Sequence, residues 1–164
     1  MGPLRSSPRV LAFVSDFART MERPKPMPQD LDARLARAAE RCASLPGVVA
    51  VVLFGSVARG EATPWSDVDL GVFSRVPISL DDRVAALTDL HAIFERDVDL
   101  VDLAAAPLPL RAHAVAEGRA LVVNDREAWA DFATETTIAW LDFRPTYERA
   151  LKLELERFRG EARA

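Results

Sequence analysis

The stretch that decides the fold runs from Val48 to Val72 and reads VVAVVLFGSVARGEATPWSDVDLGV. Its first seven residues are apolar and rich in β-branched side chains, a pattern that predicts a strand buried on both faces. Gly55 and Ser56 end this strand abruptly. A short helix can begin at Ser56, with free backbone N–H groups pointing beyond the end of the strand.

Two carboxylates open a second predicted strand, ten residues after the Gly-Ser pair. Side chains at positions i and i+2 of a strand point to the same face, so Asp67 and Asp69 face one side. Val68, Leu70 and Val72 take the opposite side, toward the core. This alternation fixes the register of the strand.

Both halves of this stretch suit phosphate chemistry. Paired carboxylates repel each other unless a cation lies between them, and Mg²⁺ usually binds one or two carboxylates plus substrate phosphates. A Gly-Ser turn lets the backbone approach a phosphate and offers hydroxyl and N–H donors. Each half alone is more simply an ordinary turn or a pair of solvated aspartates. Together, at this spacing, they favour metal-assisted phosphoryl or nucleotidyl transfer.

The pattern of Gly55-Ser56, ten residues, and then Asp67-Val68-Asp69 resembles the GS…DxD signature of the DNA-polymerase-β-like nucleotidyltransferase superfamily. FGSVARGEATPWSDVDLGV and the later DVDLVDL resemble the minimal nucleotidyltransferases (MNT), antitoxins that are paired with HEPN toxins. The resemblance covers roughly residues 31–143. It implies an α/β (α+β) nucleotidyltransferase fold, in which helices cover a small mixed sheet and further helices follow at the C-terminus.

The resemblance also implies the catalytic residues. Asp67 and Asp69 would hold two Mg²⁺ ions with the triphosphate of ATP, the substrate, and Asp99 of DVDLVDL would complete the metal site near the acceptor hydroxyl. On the third predicted strand, Asp97 to Leu103, alternation places Asp99 with Asp97 on one face. Asp97 and Asp102 are more simply strand-end or edge residues in water.

Three further residues are candidates for contacting the nucleotide. Gly55 and Ser56 would bind the β and γ phosphates and orient pyrophosphate as the leaving group. Arg59 would stabilise charge on that leaving group, although a surface arginine in a polar loop is an equally good interpretation. Trp65 either borders the base or only closes its loop.

Composition limits the class of protein. The chain has 164 residues, of which 49% are hydrophobic and 28% charged, as in a soluble, one-domain globular protein. A net charge of −4 argues against duplex DNA or RNA as the main partner. No apolar run approaches the roughly 20 residues of a membrane span, so we expect a cytoplasmic protein. The lone Cys42 is expected to pack in the core.

The chain divides into three predicted parts. Residues 1–29 form an N-terminal extension that ends in a Pro-rich linker, with a short amphipathic helix predicted from Val10 to Met21. Residues 30–124 form the nucleotidyltransferase core. Residues 125–164 form C-terminal helices that pack on the core or on a partner.

Within the core, helix signals flank the strands. Asp30 is a predicted N-cap, and Ser79 with Asp82 forms a variant capping box. The helix after Ser79 is predicted to run to about Arg96. A further helix is then predicted over residues 107–117, and a short fourth strand over residues 120–124. The expected apolar stripe of the helix after Ser79 consists of Leu80, Val84, Leu87, Leu90 and Phe94.

Two helices are predicted after Asp125. Arg144-Pro145 is expected to break the first one. The second carries a stripe that we expect to pack on the chain's own sheet in preference to a partner's groove. This stripe consists of Tyr147, Leu151, Leu155 and Phe158.

The acceptor is inferred from length. The 65 residues after Asp99 leave no room for the further domain that forms the acceptor pocket in small-molecule nucleotidyltransferases. The resemblance therefore implies a protein acceptor, a tyrosine of the cognate HEPN toxin, with which the chain would form a hetero-oligomer. Three alternatives remain: a small-molecule, aminoglycoside-type transferase completed by a dimer mate, an antitoxin that neutralises by binding alone, and a degenerate nucleotide-binding subunit. The intact motif residues argue against the third; they are Gly55, Ser56, Asp67, Asp69 and Asp99.

Overall fold

A computed structural model describes residues 26–161, and the helix predicted over Val10–Met21 lies outside this range. The elements follow in the order α1 (Leu31–Ala43), β1 (Val48–Phe54), α2 (Gly55–Ala58), β2 (Val68–Ser74), α3 (Leu80–Phe94), β3 (Val98–Asp102), α4 (Leu108–Glu117), β4 (Arg119–Val123) and α5 (Arg126–Glu161). No helix in the described range is long and apolar enough to cross a membrane.

The four strands form one mixed sheet in the order β3-β2-β1-β4. β1 pairs antiparallel with both β2 and β4, whereas β2 pairs parallel with β3. All seven residues of β1 are buried, as their continuous apolar run predicts for a central strand covered on both faces. The fold class inferred from the resemblance, a small mixed sheet covered by helices, is confirmed.

Two apolar clusters lie on opposite faces of the sheet. The larger one joins α1 and α3 to the sheet through residues such as Leu35, Leu70 and Leu90. The smaller one joins α4 and α5 to the other face through residues such as Phe54 and Phe132. Strand alternation therefore assigns each side chain to one of two helical layers. Cys42 is fully buried in the larger cluster, and burial raises the pKa of its thiol to about 11.

Two helix predictions need correction. Asp30 precedes α1, but its side chain caps no backbone N–H; instead it accepts a hydrogen bond from Arg34 Nε at 2.9 Å. The N-cap of α3 is confirmed, because Ser79 Oγ accepts from the Asp82 amide at 3.1 Å. The Asp82 carboxylate accepts from the Ser79 hydroxyl at 2.6 Å, whereas a complete capping box would have it accept from the Ser79 amide. The predicted α3 stripe is wrong at its start, where Leu80 and Val84 are exposed. Only the second half of α3 is buried, and its buried residues are Ala86, Leu90, Ile93 and Phe94.

The predicted break at Arg144-Pro145 is also wrong, because α5 continues through Pro145 to Glu161. Proline removes one N–H donor and leaves the carbonyl four residues before it unpaired in the helix, and here that position is open to water. Contacts span the proline: Arg144 Nε lies 2.7 Å from Glu148 Oε1, and the rings of Trp140 and Tyr147 are 5.6 Å apart. These contacts stabilise the helix on both sides of Pro145.

Candidate active site

The sheet brings two predicted catalytic residues side by side. Asp69 on β2 pairs with Phe54, the last residue of β1, and with Asp99 on the parallel strand β3. Directly paired residues of neighbouring strands share a face, so the two carboxylates point to the same side. Asp69 is half-buried and Asp99 is exposed. Asp67 lies just before β2 and is exposed.

The Gly-Ser turn contacts this carboxylate pair. Gly55 has a φ of +71°, and a Cβ added to it would lie 2.0 Å from Asp69 Oδ2. Only glycine combines this left-handed conformation with such a close approach. The half-buried Ser56 follows in α2, and its hydroxyl has no hydrogen-bond partner among residues 26–159. The structure thus brings together two features that the sequence separates by ten residues.

The neighbouring carboxylates of Asp99 and Asp67 disfavour a negative charge on Asp69. Burial, followed by the charges of Asp99 and Asp67, raises the pKa of Asp69 above its ordinary value, and Arg59 and His113 oppose this shift. A cation at this point would relieve the repulsion. In the described part of the chain, no group of three or more His, Cys, Asp or Glu side chains is arranged as a complete metal site. Mg²⁺ fits such an incomplete site, because substrate phosphates normally supply its remaining ligands.

Arg59 lies at the end of α2 and is held by three side chains. Its Nε donates to Glu61 Oε2 at 2.8 Å, and its Nη1 lies 3.1 Å from His113 Nε2 and 3.6 Å from Glu117 Oε2. Sequence reasoning missed His113 and Glu117. Their spacing of four residues on a predicted helix was a signal that they share a face, but nothing local connected that face to Arg59.

Arg96 is a third residue whose role sequence reasoning did not predict. Its Nη1 donates to the carbonyl of Ser66 at 2.7 Å, immediately before Asp67. The Val68 amide then donates to the carbonyl of Asp97 at 3.2 Å, which joins the loop to β3. These two bonds fix the loop that presents Asp67. Trp65, in the same loop, is 67% exposed.

Comparisons with known proteins agree with this geometry. The model of the family "Polymerase beta, Nucleotidyltransferase" matches residues 37–127. A provisionally assigned minimal nucleotidyltransferase is 34% identical, with a TM-score of 0.50, over 56% of this chain and 92% of that chain. Comparison with curated proteins finds no match.

Chains from toxin–antitoxin complexes share the fold at lower identity. One, crystallised with AMP-PNP, has a TM-score of 0.64 and 22% identity over 73% of this chain and 98% of that chain. Another comes from the complex of a tri-AMPylated Shewanella oneidensis HEPN toxin with its MNT antitoxin, with a TM-score of 0.61 and 20% identity over 76% of this chain and 98% of that chain.

The family model spans β1 to β4, including the Gly-Ser turn and both strands that carry the paired carboxylates. It therefore matches the same residues that the structure brings together around Asp69. This chain belongs to the polymerase beta nucleotidyltransferase family.

Proposed function

We propose that the chain is an antitoxin enzyme that transfers AMP from ATP to a tyrosine hydroxyl of a partner HEPN toxin. The observation that carries the proposal is the direct pairing of Asp69 with Asp99 beside Gly55. This arrangement places a carboxylate pair against an anion-binding turn in a member of a nucleotidyltransferase family. The complex with a tri-AMPylated HEPN toxin supports the choice of acceptor by its shared fold.

The carboxylates would hold the metal. Asp67, Asp69 and Asp99 are the proposed ligands of two Mg²⁺ ions, whose remaining ligands are phosphate oxygens and water. When bound, Mg²⁺ supplies Lewis-acid polarisation of the α-phosphate and neutralises charge on the leaving pyrophosphate. Burial and the neighbouring charges of Asp99 and Asp67 raise the pKa of Asp69, so a cation bound between these carboxylates would be favoured.

The chain's own residues would orient the reacting groups. The Ser56 hydroxyl and the N–H groups at the start of α2 donate to the β and γ phosphates. Asp99 accepts the proton of the tyrosine hydroxyl, whose oxygen forms a bond to the α-phosphorus. The bond from this phosphorus to the bridging oxygen breaks, and pyrophosphate leaves on the side of Arg59.

The position of Asp99 favours a macromolecular acceptor. β3 is an edge strand, and an open groove of about 470 Å³ runs along its outer side. Asp99 lines this groove together with Arg83, Leu87 and His91. A residue on a protein surface can reach Asp99 from this open edge.

The test separates transfer from binding. The chain, its partner toxin, ATP and Mg²⁺ are incubated, the chain is then removed, and the toxin's intact mass and RNase activity are measured. We expect a gain of about 329 Da per AMP, as covalent transfer requires, and RNase activity that stays low. Asp99→Asn should still bind the toxin but should not modify it.

Two results would contradict this proposal. A toxin of unchanged mass that recovers fully would favour an antitoxin that neutralises by binding alone. An unmodified toxin combined with AMP transfer to an aminoglycoside would favour a small-molecule transferase.

A further inference from the structure

Arg59 is fixed on two of its three nitrogen atoms. Glu61 accepts from Nε at 2.8 Å, while His113 Nε2 lies 3.1 Å from Nη1. Nη2 has no hydrogen-bond partner among residues 26–159. A planar guanidinium held in this way presents its remaining donor in one direction.

The geometry also assigns the tautomer of His113. Arginine carries only donors, so His113 Nε2 must accept the hydrogen bond from Nη1, and the imidazole proton then lies on Nδ1. Nδ1 lies 3.3 Å from Glu117 Oε1, and the other oxygen of Glu117 is 3.6 Å from Arg59 Nη1. Glu117 therefore supports both His113 and Arg59.

This network connects two elements that are far apart in sequence. Arg59 ends the turn that begins at Gly55, whereas His113 and Glu117 lie on α4, which packs on the face of the sheet opposite α1 and α3. Gly55, at the start of that turn, contacts the Asp69 carboxylate, and the charge of Arg59 acts on the same carboxylate, so the network lies on the side of the turn that faces the carboxylate pair.

We propose that His113 and Glu117 are positioning residues, which hold Arg59 with its free Nη2 directed at the nucleotide phosphates. This inference rests on the proposed function. His113 itself contacts no phosphate and acts through Arg59. The network is partly exposed, and exposed ion pairs contribute little to stability, so loss of these contacts should change the free energy of unfolding little.

The test measures affinity for an ATP analogue with a methylene bridge between the α and β phosphates, by calorimetry with Mg²⁺. Without these contacts, the Arg59 side chain must be ordered when the nucleotide binds, which costs conformational entropy. We therefore expect His113→Leu and Glu117→Gln each to weaken binding about 3- to 10-fold. His113→Gln retains an acceptor near Nε2 and should restore most of the affinity. Glu154→Gln, on the exposed second half of α5, is the matched control for Glu117→Gln and should bind like the wild type.

A double-mutant cycle identifies the route of the effect. If His113 acts through Arg59, His113→Leu should weaken binding no further once Arg59 is leucine. Equal losses in both backgrounds would overturn the inference, as would wild-type affinity of His113→Leu. Wild-type affinity of Arg59→Leu would overturn it too while leaving the carboxylate site intact. A wild-type chain that binds no nucleotide would overturn the inference and the proposed function together.

Discussion

The Gly-Ser turn and the second half of α5 show how differently one chain can constrain its residues. At the turn, Gly55 is pressed against Asp69, and Asp69 is paired on both sides by neighbouring strands. In α5, every residue from Leu141 to Arg159 is exposed, including the large apolar side chains of Leu151 and Phe158. Substitutions at the turn should therefore propagate into the site, whereas those in the second half of α5 should not affect the core.

The largest expected effect is at Asp69. Asp69→Asn removes the charge of a proposed metal ligand without changing the side chain's volume. Even residues that only contact metal ligands typically contribute 10- to 100-fold to metal affinity or activity. We expect AMP transfer to fall by at least about a hundredfold, measured with labelled ATP and saturating Mg²⁺. Transfer near the wild-type rate would exclude Asp69 as a ligand.

The same variant should alter the dependence of stability on pH. The pKa of Asp69 is raised in the folded state, so folding favours its protonated form. Without metal, this contribution stabilises the fold below the ordinary carboxyl pKa of 3.8 and is lost as the pH rises through the raised value. Above that range, Asp69→Asn should be as stable as the wild type or more stable. Thermal melts from pH 4 to pH 8 with EDTA check this, and a variant of lower stability at pH 7 would contradict it.

The two halves of α5 provide a direct stability comparison. Phe132 is 9% exposed and its ring stacks on Phe73 at 4.1 Å, whereas Leu151 is 48% exposed. Phe132→Ala should reduce the free energy of unfolding by about 3–5 kcal/mol. Leu151→Ala should change it by less than about 0.5 kcal/mol. Urea denaturation measures both values, and a large loss at Leu151 would mean that the stripe packs on the chain itself.

Substitutions at two glycines distinguish the cost of backbone strain from the effect of a Cβ on the carboxylate site. Gly55 and Gly60 share a φ of +71°, but an added Cβ at Gly60 would meet no atom within 4 Å. Gly60→Ala should cost about 1–2 kcal/mol of stability, the cost of a left-handed alanine, and should preserve nucleotide transfer. Gly55→Ala should cost more and should also abolish transfer, because its Cβ displaces the Asp69 carboxylate. Equal activities of the two variants would contradict this contact.

The smallest expected effect is at Pro145. Pro145→Ala restores an N–H donor in the exposed half of α5 and raises helix propensity locally. We expect slower amide exchange around residues 141–149 and a global unfolding free energy that is unchanged within about 0.5 kcal/mol. Hydrogen exchange with mass spectrometry distinguishes the local change in amide exchange from a change in global stability. A change in global stability would show that the second half of α5 is coupled to the core.

Local sequence patterns predicted the burial of side chains correctly where the neighbours in sequence decide a residue's environment. The apolar run of β1 and the alternation around Asp69 are of this kind, because strand geometry alone sets which side chains are covered. Such patterns failed for α3 and α5. An apolar stripe shows which face of a helix can be buried, but not how much of the helix's length another element covers. Leu80, Val84 and Leu151 belong to such stripes and are exposed, because no other element covers them.

The sequence by itself determined the strand that ends before Gly55, the carboxylates just before and at the start of β2, and the spacing between them, because these depend on local backbone geometry. Only the tertiary structure decided that Asp99 lies opposite Asp69 and that Arg59 meets His113 and Glu117. These contacts join elements separated by tens of residues. Sheet order and helix placement, which depend on the packing of the whole chain, bring them together.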